Sequence, residues 1–165
     1  MTTVAQSARR RDISPWALAA VALGVATMTF PPLVAERSSS GRVTIAGLVE
    51  TVSTGFTRWM SSGAAAPGAP LADAVTFWAV FHVAKAVLAI ALLCALVIVG
   101  CRVWIRATRA ETRTARAAWI AAGVLGAWLP LLALLMVLAN IQGAVAPLSS
   151  VMSLLPIDAT PEVDQ

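Results

Sequence analysis

The sequence predicts an all-α integral membrane protein with three transmembrane helices and an amphipathic interfacial helix in the first outer loop. Three apolar runs, each with few or no charged residues, are long enough to cross a bilayer as helices. Only 12% of the 165 residues are charged, against about 25% in globular proteins, and the mean hydropathy is +0.82. Five arginines between the second and third runs set the orientation, because cytoplasmic loops are enriched in Lys and Arg.

The first span is predicted over residues 13–35, after a polar cytoplasmic tail over residues 1–12. The tail ends in three arginines and an aspartate, which form a basic flank. Ser14 is followed by a proline, and this pair suits a helix start because serine caps free amides and proline at the first helical position loses no bond. Pro31 and Pro32 predict that the regular helix stops or kinks just before them.

A second interpretation treats residues 1–35 as the cleaved signal of an exported precursor. Arg10 and Arg11, followed by aspartate and isoleucine, resemble part of a twin-arginine signal. The uncharged run 13–35 is longer than the apolar core of a typical signal, which has about 7–15 residues. Residues 33–35, Leu-Val-Ala, also make a poor small-x-small cleavage site. We therefore expect the first span to be retained.

The outer loop, residues 36–75, is predicted to contain an amphipathic helix over residues 43–60. Its apolar residues recur at spacings of three and four: Ile45, Leu48, Val49, Val52, Phe56, Trp59 and Met60. Glu50 and Arg58 argue against a fourth span, since a charge at the middle of a bilayer costs about 2.5 to 3.5 kcal/mol. We expect this helix to cover apolar surface of its own chain at the outer interface; the alternative is a docking face for another protein.

The second span, predicted over residues 76–104, carries one polar pair near its outer boundary. His82 and Lys85 share a helix face with Trp78. One interpretation is a proton or ligand site at the outer mouth, because histidine changes its charge near neutral pH. No acidic residue in a span could complete a proton relay, so we favour an interfacial anchor beside an aromatic belt.

The basic loop, residues 105–116, follows the second span. Five arginines are spaced alternately four and three residues apart and would form one membrane-surface stripe on a helix: Arg102, Arg106, Arg109, Arg113 and Arg116. The favoured interpretation is an ordinary positive-inside flank, and the alternative is a contact with anionic lipid head groups. We expect the chain to reverse around residues 112–114, where a threonine can cap the next helix.

The third span is predicted over residues 117–142 and precedes an outer C-terminal tail over residues 143–165. Three small residues repeat every four positions and predict a helix-packing ridge that lets another helix approach closely: Ala118, Ala122 and Gly126. Pro130 predicts a kink in this span.

Charge counting supports an N-terminus in the cytoplasm and a C-terminus outside the cell (plasma) membrane. With three spans, eight arginines and two acids lie inside, whereas four basic residues and six acids lie outside. This asymmetry follows the positive-inside rule. A four-span arrangement would place the basic loop outside, against the same rule.

The predicted function is that of a small non-catalytic membrane protein, an accessory or scaffold subunit that acts through helix–helix and interfacial contacts. The spans contain no nucleophile paired with a base, no carboxylate pair and no set of metal ligands, so we expect no enzyme activity and no cofactor or metal. Cys94 and Cys101 lie about 10 Å apart on one helix, too far for a disulfide. The expected partners are the lipid bilayer and a membrane protein or a second copy, not nucleic acid. The alternative function is an oligomeric channel or transporter component.

Overall fold

The computed structural model describes residues 14–39 and 41–155, and 84% of these residues are helical. The helices are α1 (Ser14–Ser38), α2 (Leu48–Ser62), α3 (Ala69–Thr108), α4 (Arg113–Gly126), α5 (Trp128–Val145) and α6 (Pro147–Met152). Three stretches are long and apolar enough to cross a membrane: Pro15–Ser38, Ala69–Thr108 and Arg113–Val145. The prediction of an all-helical chain with three such helices is confirmed. The predicted tail 1–12 and the end of the predicted outer tail lie outside the described residues.

Helix α1 continues through Pro31 and Pro32, where the sequence predicts a stop or a kink, and ends at Ser38. Each proline removes a backbone donor and crowds the carbonyl four residues earlier, which weakens an isolated helix. Here Pro31 and Ala35 are both fully buried. Packing on this side of the helix therefore holds the chain helical beyond the prolines.

The chain forms two compact units, which we name after residues that they contain. The histidine unit comprises the described parts of Phe30–Ala84 and Asn140–Gln165, and the arginine unit comprises those of Met1–Thr29 and Lys85–Ala139. Helices α1, α3 and α5 each contribute residues to both units.

The histidine unit has a core of fully or almost fully buried side chains, called the Phe77 core here. Its members are Ala35, Val43, Leu48, Val52, Leu71, Ala74, Phe77 and Val151. Helix α2 supplies Leu48 and Val52, and its Phe56 and Trp59 pack against the core from the same side. This helix therefore covers apolar surface of its own chain.

Helix α2 begins later than the predicted 43–60 and ends at Ser62, where Gly63 adopts a left-handed conformation with φ 63°. Thr44 delays the start, because its Oγ1 accepts a hydrogen bond from the Gly47 amide at 3.2 Å in a turn. Ile45 thus lies outside the helix, and Val49 and Met60 are exposed.

The arginine unit is held together by small residues. Its buried apolar residues among those described are six alanines and one valine: Ala20, Ala86, Ala89, Ala95, Ala107, Ala133 and Val137. Small side chains let helix backbones approach closely, which favours packing where lipid provides no hydrophobic drive. Larger apolar side chains point outward, and Leu18, Val21 and Leu125 are 68%, 67% and 73% exposed.

The third predicted span is divided into α4 and α5 at Ala127, three residues before Pro130. Proline cannot donate to the carbonyl four residues earlier, which is that of Gly126. The Ala127 amide still donates to the Gly123 carbonyl at 3.0 Å. The interruption is therefore confined to one residue, at the place where Pro130 predicts a kink.

Candidate functional site

His82 is the centre of a polar contact between two helices of the histidine unit. Its Nδ1 lies 2.9 Å from Oδ1 of Asn140, 58 positions later in the chain. An amide oxygen only accepts, so His82 Nδ1 carries the hydrogen of this bond. Asn140 is 5% exposed, and the His82 Nε2 atom is also buried. This hydrogen bond joins α3 to α5 inside the unit.

Two aromatic rings of the same helix lie against the imidazole. The Trp78 and Phe81 rings meet His82 edge-on, with centroid separations of 4.6 and 5.4 Å. Trp78 and Phe81 stack on each other at 5.4 Å, and Trp78 Nε1 donates to Ser150 Oγ at 3.0 Å. We call Trp78, Phe81, His82, Asn140 and Ser150 the histidine cluster. It ties α3 to both α5 and α6.

Gly143 is part of this packing, although the sequence analysis did not predict a role for it. A Cβ atom at this position would lie 2.7 Å from Cγ, Cδ2 and Nε2 of His82. The backbone of α5 therefore approaches the flat side of the imidazole as closely as a glycine allows. An isolated glycine inside a helical pattern, three residues after a polar Asn140, is the signal that could have pointed to it.

The predicted outer polar pair, His82 and Lys85, lies three residues apart on α3, and both side chains are half-buried. Their place at an outer membrane interface stays a prediction. The imidazole packs between α3 and α5, where two aromatic rings contact it and it is hydrogen-bonded to a buried amide. Its position beside Trp78 on one helix face agrees with the spacing in the sequence.

The five predicted arginines come from three successive segments, not from one helical stripe. Arg102 and Arg106 lie at the end of α3, Arg109 lies in the turn, and Arg113 and Arg116 lie in the first turn of α4. The chain reverses here because Thr112 caps α4: its Oγ1 accepts a hydrogen bond from the Ala115 amide at 3.1 Å. The expected threonine cap is confirmed. Residues 102–116 are called the basic turn below.

Two tryptophans lie under arginines of the basic turn. The Arg102 Cζ atom is 5.9 Å from the Trp16 ring centroid, and the Arg106 Cζ atom is 5.4 Å from that of Trp119. Such cation–π contacts hold a guanidinium flat against the ring. Arg109 and Arg113 are exposed, and Glu111 is the one acid among residues 102–116.

The predicted helix-packing ridge does not pack within the described part of the chain. Ala118 and Ala122 are exposed, and a Cβ atom on Gly126 would meet nothing within 4 Å. The close approach is made instead by Gly123, where a Cβ atom would lie 3.6 Å from Val103 Cγ1. Neighbouring positions on a helix differ by about 100°, so the packed face of α4 is turned away from the predicted one.

An open groove of about 320 Å³ lies on the arginine unit. Helices α1, α3 and α5 contribute its lining, which is apolar throughout and includes Ala20, Leu96 and Met136. It offers no polar group that could fix a water-soluble ligand in one orientation. The groove is suited to hydrocarbon.

Within the described residues, no group of three or more His, Cys, Asp or Glu side chains could hold a metal ion. Cys94 and Cys101 are exposed free thiols on α3. Comparison with protein-family models, characterised proteins and solved structures gives no match.

Proposed function

We propose that this chain is a small non-catalytic integral membrane protein, an accessory or scaffold subunit that acts through helix–helix and interfacial contacts. One observation carries the proposal: only 17%, 17% and 11% of the most apolar windows of the three long helices is buried inside the chain. In water this exposed surface would cost about 25 cal/mol per Å². In a bilayer it carries no such cost, and it leaves helix faces free for lipid or a partner.

Helix α2 supports the interfacial part of the proposal. Leu48 and Val52 on one side of it fill the Phe77 core, yet Val49 and Met60 are 43% and 64% exposed. Glu50 and Arg58 are exposed on the same helix. A helix with apolar and charged side chains both turned outward suits the boundary between water and lipid. We place α2 in the outer interface.

The full-length protein tests this proposal in two steps. After alkaline carbonate treatment of cell membranes we expect it in the pellet, and its release into the supernatant would contradict membrane insertion. After purification in mild detergent, we expect a stoichiometric second membrane protein. A homo-oligomer that conducts ions in liposomes would instead support the channel alternative, and a monomer without a partner would contradict the subunit role.

The proposed topology places the N-terminus in the cytoplasm and the C-terminus outside the plasma membrane. Reporter fusions after Met60 and after Gln165 are therefore expected to behave as exported. A fusion after Glu111, within the basic turn, serves as the cytoplasmic control, because five arginines surround that position. A cytoplasmic signal from the fusion after Gln165 would contradict three spans in this orientation.

We also expect the first span to be retained in the mature protein. Four residues of α1 are buried against the rest of the chain, Ala20, Thr27, Pro31 and Ala35, and removal of residues 1–35 would uncover their contacts. Mass spectrometry of protein purified from membranes should therefore find peptides from residues 1–30, in amounts equal to those from residues 128–155. A mature N-terminus near Glu36 would identify a cleaved signal.

A further inference from the structure

We propose that the basic turn binds the phosphate head group of an anionic phospholipid, an inference that rests on the proposed membrane insertion. The occupant is a lipid of the bilayer that contains the protein. Residues 102–116 carry five arginines and one acid, and they are contributed by the end of α3, a short turn and the start of α4. The five arginines therefore lie where the chain reverses between α3 and α4. A single helix would instead spread these charges along its length.

The arginines at the start of α4 oppose the stability of that helix. Arg113 and Arg116 lie in its first turn, which contains no acidic residue. The N-terminal end of a helix carries a partial positive charge, so a cation there costs up to about 1 kcal/mol, whereas an anion stabilises it. This arrangement is unfavourable for an isolated helix and becomes favourable when an anion lies against the turn.

Two arginines of the basic turn have exposed side chains that an anion can reach. Arg109 and Arg113 are exposed, and the ion pair found among the described side chains, Arg42 with Asp73, lies in the histidine unit. Guanidinium groups suit phosphate because their planar donors match its oxygens in pairs. Arg109 and Arg113 are therefore the residues assigned to the head group.

Two features indicate that the anion belongs to a lipid: the tryptophans beside the basic turn and the depth of the apolar groove. Trp16 and Trp119 lie beside the turn, and tryptophan is the residue enriched where head groups meet hydrocarbon. Ala20, in the apolar groove, is four residues beyond Trp16, and Leu96 in the same groove is six residues before Arg102. At 1.5 Å per residue these are steps of about 6 and 9 Å, so the groove lies at the depth of acyl chains. Free phosphate or a nucleic acid would use neither feature.

Lipid retention by the full-length protein tests the proposal. We compare phosphatidylglycerol with zwitterionic phosphatidylcholine by native mass spectrometry from mild detergent, using wild type and the R109Q/R113Q variant. An arginine near a lipid surface contributes about 1 kcal/mol, so the double variant is expected to bind phosphatidylglycerol about 20- to 30-fold more weakly. R37Q/R58Q removes the same charge from exposed arginines of the histidine unit and is expected to bind as wild type does. R109K/R113K should retain most of the binding.

Several results would overturn the inference. They are equal retention of the two lipids by wild type, an equal loss in both glutamine variants, and displacement of the lipid by inorganic phosphate or by a short RNA at similar concentrations. Carbonate extraction of the same variants separates this inference from the proposed function. Protein that stays in the membrane pellet but shows no preference for phosphatidylglycerol contradicts the lipid site alone.

Discussion

Phe77→Ala is expected to lower the free energy of unfolding by about 3 to 5 kcal/mol, the cost of removing a large aromatic side chain from a closed core. Phe77 is fully buried at the centre of the Phe77 core, where residues of α1, α2, α3 and α6 meet. The substitution leaves a cavity that neighbouring small side chains such as Ala35 and Ala74 cannot fill. Unfolding by a denaturing detergent, followed by tryptophan fluorescence, measures the loss.

Phe30→Ala is the matched control, because Phe30 belongs to the same unit and is 57% exposed. It removes the same atoms without opening a cavity, so we expect a change within about 0.5 kcal/mol. Losses of equal size in the two variants would mean that Phe77 is not enclosed as described.

The three long helices could be predicted from the sequence because span length depends on local composition. A run of apolar residues of sufficient length specifies a helix in a bilayer whatever surrounds it. The threonine cap is local in the same way: the side chain of Thr112 bonds an amide three residues later. The contact of Trp78 with His82 follows from their spacing of four on one helix.

The continuity of α1 could not be predicted, since it depends on residues far from it in the chain. Pro31 and Pro32 disfavour a helix locally, and that local rule is sound. The burial of Ala35 in the Phe77 core, beside side chains of α2, α3 and α6, outweighs it. Tertiary packing regularly overrides local propensity in this way.

The packed face of α4 is a second feature that could not be predicted from the sequence. Ala118, Ala122 and Gly126 repeat every four positions on this helix, whereas the residue four positions before Gly123 is the large Trp119. Periodicity therefore favours the line through Ala118, Ala122 and Gly126 for close packing. It does not show which side of the helix meets another helix, and the structure packs Gly123 against Val103 and Trp104.

The contacts within the histidine cluster also could not be predicted from the sequence. His82 and Asn140 are 58 positions apart, so no spacing rule connects them. The sequence shows that both are polar residues near the ends of predicted spans, and it predicts an interfacial position for His82 without reference to Asn140. Their hydrogen bond and their shared burial appear only when α3 and α5 are brought together.

Gly143→Ala is expected to destabilise the protein by about 1 to 3 kcal/mol, the usual cost of overpacking. The added methyl group would lie 2.7 Å from three atoms of the His82 ring. One of them is Cγ, the ring atom bonded to Cβ, and the ring also contacts Asn140, Trp78 and Phe81, so it has little room to turn away. Unfolding in one detergent measures the change.

Gly126→Ala is the control, because a Cβ atom there meets nothing within 4 Å. Alanine is a better helix former than glycine, so this variant should be unchanged or up to about 1 kcal/mol more stable. A substantial loss at Gly126 would instead show that the predicted ridge packs against something.

A double-mutant cycle decides whether the imidazole is the cause of the loss at Gly143. His82→Ala will itself be destabilising, since it leaves the buried Asn140 amide without its hydrogen bond to the ring, but this cost is common to both arms of the cycle. Once the ring is gone, Gly143→Ala has room for its methyl group and gains the helix preference of alanine. The second substitution should therefore be neutral or stabilising in the His82→Ala background. If it costs the same in both backgrounds, the close approach of α5 to His82 does not limit residue 143.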